Sequence, residues 1–144
     1  MYSALDVAKY IIWYCKEEEY SISNLKLQKL LYFVQAQFLV VMGHPIFKEK
    51  IEAWDFGPVV PEVYQHFKLW GSSEIPRVVA KQANNKIFEK DQEVIDEILE
   101  VCAPYSANTL VDITHNQAPW RDAYEKYCNK VITKKSIKEY FENN

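Results

Sequence analysis

One segment decides most of what this chain can become. Residues 24–42 carry Leu27, Leu30, Leu31, Val34, Phe38 and Val41 at helical spacing. Tyr32, Phe33, Leu39 and Val40 spread the apolar stripe around most of the circumference. A helix apolar on so many sides must be wrapped by other elements, so it belongs at the centre of the molecule. At 1.5 Å per residue it spans about 28 Å, the width of a small domain. Gly43 can take a left-handed stop, and Pro45 prevents continuation.

The rest of the chain supplies the wrapping. Residues 3–18 place Ala4, Ala8, Ile11, Ile12 and Cys15 on one face. Pro61 suits the first turn of a helix to Trp70, with Val63, Phe67 and Trp70 inward. Residues 91–102 predict an acidic amphipathic helix, with Val94, Ile95, Ile98, Leu99 and Cys102 inward and Pro104 as its stop. Shorter helices are expected over 106–115, 119–127 and 134–142. Four starts carry an apolar residue on each side of a Ser or Thr cap: Tyr2-Ser3…Val7, Ile22-Ser23…Leu27, Tyr105-Ser106…Leu110 and Ile132-Thr133…Ile137. Residues 46–56 partly alternate and predict a short strand, broken by Gly57-Pro58. Residues 75–79 are the candidate second strand of a small hairpin. The expectation is one mainly α domain over residues 1–144. About seven helices surround the central one, with room for one hairpin.

Composition narrows the function. The 144 residues include only three glycines, so the clustered glycines of a phosphate-binding loop are absent. The net charge of −3 gives no whole-chain basic field for nucleic acid. The first residues lack the basic region of a signal peptide, and Phe38–Met42 is far short of a membrane span. A cytoplasmic protein without membrane contact is expected. Cys15, Cys102 and Cys128 are too scattered for a disulfide framework or zinc clamp. His44, His66 and His115 fall on different predicted elements, so neither metal nor cofactor is expected.

Three patterns bear on chemistry. His115 follows Asp112 by three residues, so a helix would let the carboxylate orient the ring of a general base. A small hydrolase using His115 and Asp112, with Cys128 or Ser106 as nucleophile, is the enzymatic alternative. A histidine ending a helix more often serves the helix dipole, and no enzyme is expected. Lys126, Lys130, Lys134, Lys135 and Lys138 form a basic run without an intervening acid. Balance against Glu89, Asp91, Glu93, Asp96, Glu97 and Glu100 is its expected use, ahead of nucleic-acid binding. Trp54, Phe56, Tyr64, Trp70 and Trp120 sit beside turns or helix ends, where aromatic side chains can anchor a partner. Trp54 and Phe56, two apart, would share one strand face. No heptad pattern argues for a homo-oligomer, which is left open.

Three segments together resemble a known family. They are Asn24-Leu25-Lys26-Leu27-Gln28-Lys29-Leu30-Leu31-Tyr32, then Ala53-Trp54-Asp55-Phe56-Gly57-Pro58-Val59-Val60-Pro61-Glu62-Val63-Tyr64, then Thr114-His115 with Pro119-Trp120 and Ala123-Tyr124. In content, order and spacing they resemble the SocA/GepA-type, or Panacea, domain of bacterial and phage toxin–antitoxin systems. The resemblance covers about residues 5–127. Two departures are Ile113, where leucine is expected, and Gln117, where an acid is common.

The resemblance implies a mainly α, non-enzymatic module that binds and neutralises a cognate toxin, usually encoded by a neighbouring gene. Some members resemble proteolytic adaptors that deliver the toxin to a AAA+ protease, which is the alternative function. Operator binding is not implied. Leu27, Leu30, Leu31, Gly57, Pro58, Pro61, His115, Pro119 and Trp120 are then motif residues that shape the fold. The residues beside them, Gln28, Lys29, Tyr32, Asp55, Phe56 and Glu62, are expected to be exposed and to meet the partner. Trp54, Phe56, Tyr64 and Tyr32 are the expected anchors.

Overall fold

A computed structural model describes residues 1–144. Seven α-helices form: α1 (Ala4–Glu17), α2 (Asn24–Val41), α3 (Pro61–Phe67), α4 (Glu89–Cys102), α5 (Ala107–His115), α6 (Ala118–Ala123) and α7 (Lys134–Glu142). Three short strands, β1 (Ile51–Trp54), β2 (Gly57–Val59) and β3 (Val131–Ile132), make one antiparallel sheet in the order β2-β1-β3. The apolar helix α2 is central: α1, α3, α4, α5, α7 and β2 all pack on it. One continuous core joins these layers.

Local chemistry sets the helix starts. Ser3, Ser23, Ser106 and Thr133 each accept a bond from the backbone N–H three residues on, at 3.0, 3.3, 3.1 and 3.1 Å. These are the four caps flanked by paired apolar residues. The other helices have no side-chain cap, and α3 and α6 carry proline in the first turn instead.

Several expectations are corrected. The strand expected over 46–56 is confined to Ile51–Trp54 and ends at a turn two residues before Gly57-Pro58, which begins β2, with Trp54 opposite Gly57 and Ala53 opposite Pro58. Proline is tolerated there because β2 is an edge strand. Residues 75–79 form no strand, since the chain turns as a 3-10 helix over Arg77–Ala80. Pro76, which has no N–H, precedes that turn, and Ile75 spends its own on the Ile22 carbonyl at 2.9 Å. The remaining strand comes from Val131–Ile132, opposite Ile51 and Glu52. Helix α3 tightens into a 3-10 turn at Lys68–Trp70, leaving Trp70 37% exposed instead of buried. Helix α6 ends at Ala123 because Tyr124 is extended. Phe56 lies on the β1–β2 turn and does not continue a strand face with Trp54.

The lysine run does not neutralise α4. Its ion pairs are Lys130–Glu125 and Lys135–Glu139, and no ion pair joins it to the acids of α4. Two of those acids serve α1 and its approach: Asp91 accepts from the Tyr2 hydroxyl and Asp96 from the Tyr10 hydroxyl.

Helix α2 is also less purely apolar than its stripe implies. Asn24, Lys26, Gln28, Lys29 and Gln35 are buried. Each bonds the backbone of another segment, which explains why a buried helix carries them. The Lys26 ammonium donates to the Ala103 carbonyl at 2.6 Å, holding the end of α4. Gln35 accepts from the Ile46 N–H and donates to the Phe47 carbonyl, both at 2.9 Å.

Candidate functional site

The β1–β2 turn stands at the mouth of a groove of about 660 Å³. Trp54, Asp55 and Phe56 line it from the turn, Tyr64 and Lys68 from α3 and its extension, and Tyr127 from the loop before β3. Asn24, Gln28 and Val59 form its buried floor.

The turn and the start of α3 are held at five residues. Gln28 Oε1 accepts from the Val60 N–H at 2.9 Å, which helps anchor the uncapped start of α3. Gln28 Nε2 donates to Asn24 Oδ1 at 2.9 Å, and Asn24 Nδ2 donates to the Tyr64 carbonyl at 3.1 Å. The Lys29 ammonium donates to the Pro58 carbonyl at 3.0 Å. The Trp120 indole N–H donates to the Trp54 carbonyl at 2.8 Å, and the Tyr124 hydroxyl donates to the Asp55 carboxylate. A turn fixed this way has little conformational freedom to lose when something binds its outer face.

Gly57 is required for this arrangement. Its φ is +108°, which side-chain-bearing residues rarely adopt. A Cβ there would lie 2.7 Å from Lys29 Cε and 2.9 Å from Thr114 Oγ1. The turn therefore rests directly on the lysine stem, with no gap for a methyl group.

The outer face is aromatic. Trp54 meets Tyr64 edge to face, with ring centres 5.1 Å apart, and donates its indole N–H to Glu52 at 2.9 Å. Phe56 is 66% exposed and Tyr127 is 90% exposed. Tyr127 and Asn129 both have left-handed backbone, with φ of +66° and +46°. For a bulky residue such as Tyr127 this conformation costs about 1–3 kcal/mol. The loop spends that energy to hold an aromatic ring in solvent beside the groove.

The structure divides the expected site residues. Trp54, Asp55, Phe56 and Tyr64 come together at the groove. Glu62 is exposed on α3 but lies outside its lining. Gln28, Lys29 and Tyr32 are corrected: all three are buried. They lie on the side of α2 that carries β2 and α5, where their polar ends tie down neighbours. Tyr32 is no anchor, since its hydroxyl donates to Gln117 Oε1 at 2.8 Å. The oxygen of Gln117 takes a bond that the carboxylate common at this position would also accept. Tyr127 was missed, because one aromatic in an irregular loop has no periodicity to mark it.

Lys29 is buried without an acidic partner, and burial pushes its ammonium down from 10.5 to about 7. Below pH 7 the group is charged in both folded and unfolded chains and adds no slope. Between pH 7 and 10.5 the unfolded chain binds more protons, so stability rises with pH. From pH 7 to 8.5 the gain should be about 1–2 kcal/mol. Urea unfolding at several pH values should show this rise in the wild type and its loss in Lys29→Met. Above about pH 9 the buried Cys15 and Cys102 thiols, pushed up to about 11 and about 12, oppose it. An identical pH profile in the variant would show that Lys29 does not titrate this way.

His115 and Asp112 form no hydrogen-bonded pair, so the orienting contact of the hydrolase alternative is missing. Asp112 is exposed, while His115 stacks on Trp120 with ring centres 4.0 Å apart. Trp120 stacks in turn on Tyr124 at 4.6 Å. His115 Nε2 is buried without a partner. Ser106 is occupied as the cap of α5, and Cys128 is exposed on the loop before β3. The His115–Trp120–Tyr124 stack supports the indole N–H that holds Trp54. No three His, Cys, Asp or Glu side chains converge into a metal-binding group, and no helix is long and apolar enough to cross a membrane.

Fold and groove together define a small helical domain built around a rigid, aromatic-faced turn. Residues 27–121 match the family described as Antitoxin SocA-like, Panacea domain. The chain belongs to this family. It is 38% identical over 109 residues to the antitoxin SocA of Caulobacter vibrioides, an alignment covering 69% of this chain and 58% of that protein. The chain thus spans less than two thirds of that relative's length. No solved structure matches it.

Proposed function

We propose that this protein is a cytoplasmic antitoxin that neutralises a cognate toxin by stoichiometric complex formation, without catalysis. The aromatic groove is its docking surface. Phe56 and Tyr127 are the protruding anchors, and Trp54, Asp55 and Tyr64 form the walls. The observation that carries this reading is the rigid turn: it is braced from below by Gln28, Lys29 and Trp120, yet it presents an exposed phenylalanine. Interfaces draw most of their energy from a few such aromatic anchors. The likeness to a relative named as an antitoxin supports a toxin as the partner.

Co-expression with the adjacent gene tests the proposal. The adjacent gene alone should arrest growth, and this chain should restore growth and copurify with its product. A harmless neighbour, or rescue without a complex, would count against neutralisation by binding. Phe56→Ala should weaken the complex by about 30-fold, the effect of losing about 2 kcal/mol at an anchor, with an unchanged melting temperature. Tyr127→Gly separates strain from binding. It should leave stability unchanged or higher, because glycine accepts the left-handed backbone, while affinity falls. Undiminished affinity in both variants would move the interface away from the groove.

A further inference from the structure

We infer that the His115–Trp120–Tyr124 ring stack is the positioning device of the docking turn: it aims Phe56 at the partner without touching the partner itself. This rests on the groove being the docking surface. None of the three rings lines the groove. Two of them nevertheless reach the turn, at consecutive residues. The Trp120 indole N–H donates to the Trp54 carbonyl at 2.8 Å, and the Tyr124 hydroxyl donates to the Asp55 carboxylate. Phe56 follows directly. On the return side Lys29 holds the Pro58 carbonyl and Gln28 holds the Val60 N–H. Phe56 and Gly57 are therefore flanked by held residues, and the two side chains that hold the outgoing side both belong to the stack.

The stack is itself fixed. Trp120 and Tyr124 are one helical turn apart. The Tyr124 N–H still bonds the Trp120 carbonyl at 2.8 Å, although α6 ends at Ala123. Their rings are 18° from parallel, and so are those of His115 and Trp120. Gln117, just before α6, accepts the Tyr32 hydroxyl and so ties α6 to the central helix. His115 Nε2 has no hydrogen-bond partner, so His115 acts on Trp120 through its flat ring. The Tyr124–Asp55 bond lies at the surface, where water can replace either partner, so it adds little to folding. Its effect falls on binding. A turn left free must be ordered when the partner arrives, and that lowers affinity.

Tyr124→Phe keeps the stacked ring and removes only the donor, so it tests the inference with an unchanged melting temperature. NMR backbone relaxation of the pure chain needs no partner. The order parameters of the Asp55 and Phe56 amides should be about 0.85 in the wild type and fall toward about 0.6 in the variant. His115→Ala should loosen the same amides, and His115→Phe, which restores a flat ring, should leave them rigid. If His115→Ala does not fold, Tyr124→Phe decides alone. Against the product of the adjacent gene, Tyr124→Phe should weaken the complex about fivefold. In an Asp55→Ala background the same change should have no further effect, because Tyr124 acts through Asp55. Rigid turn amides in Tyr124→Phe, or full affinity in a complex that Phe56→Ala weakens, would overturn the inference. So would additive losses from Tyr124→Phe and Asp55→Ala. A complex indifferent to Phe56→Ala would remove the groove as docking surface and the aiming role with it. Should the adjacent product form no complex, the antitoxin reading falls, and the relaxation data decide whether the stack holds the turn.

Discussion

Gly57→Val should unfold this protein or bring it close to unfolding. Two independent effects add. The backbone at φ +108° lies outside the region that valine adopts, which costs about 1–3 kcal/mol. The new Cβ alone would sit 2.7 Å from Lys29 Cε and 2.9 Å from Thr114 Oγ1. Neither neighbour yields freely. The Lys29 ammonium is bonded to the Pro58 carbonyl, and the Thr114 hydroxyl donates to the Val111 carbonyl at 3.0 Å. Overpacking at such a site costs a further ~1–3 kcal/mol. The sum, about 2–6 kcal/mol, reaches the lower end of the ~5–15 kcal/mol that holds a small domain together. Gly43→Ala and Gly71→Ala are the controls. Their φ values are +79° and +55°, but nothing lies within 4 Å of the added carbon, so only strain remains. Urea midpoints should place Gly57→Val far below both controls. Partner binding should fall with it, because the turn that carries Phe56 is the part displaced. A Gly57→Val protein with the wild-type midpoint and full binding would overturn this view of the turn.

Gln35→Leu should produce the second large loss. Leucine matches the apolar character of α2 and has good helix propensity. It nevertheless leaves the buried Ile46 N–H and Phe47 carbonyl without the partners that Gln35 supplies at 2.9 Å each. An unpaired buried backbone group costs about 1–3 kcal/mol, so the pair costs about 2–6 kcal/mol. The damage should spread to the N-terminus. The Tyr2 N–H donates to the Ile46 carbonyl at 2.9 Å, and Tyr2 bridges Phe47. Native-state hydrogen exchange should show faster exchange at Tyr2 and Ile46 in the variant. Gln35→Glu keeps an acceptor for Ile46 but loses the donor to Phe47, and its carboxylate would be buried, so it should not rescue. Stability within about 0.5 kcal/mol of wild type in Gln35→Leu would show that the segment finds other partners.

Legibility in the sequence follows the range of the interaction. The four capped starts at Ser3, Ser23, Ser106 and Thr133 were readable because cap and recipient N–H lie three residues apart. The centrality of α2 was readable because an all-round apolar helix has nowhere else to go. Gly57, Pro58, Trp54, Phe56 and Tyr64 were readable as a unit from their motif, and the groove brings the aromatic three together. The same motif misled over Gln28, Lys29 and Tyr32. Polar residues beside an apolar stripe look like a solvent face, and only packed neighbours show that they point inward. Trp70 failed in the opposite direction. Its spacing matched an inward stripe, but the last turn of that helix tightens to 3-10 and swings the ring outward.

The sequence alone determined which segments are helical, where most of them start, which helix lies inside and which turn needs a glycine. Each of these depends on dihedral preferences, on caps a few residues apart, or on the number of apolar sides. Only the tertiary structure decided that β3 joins β1, that α2 uses its amides and lysines to hold other backbones, and that Tyr127 lines the same groove as Phe56. Those outcomes join residues dozens of positions apart. They depend on which backbone groups folding buries and which side chains lie close enough to satisfy them.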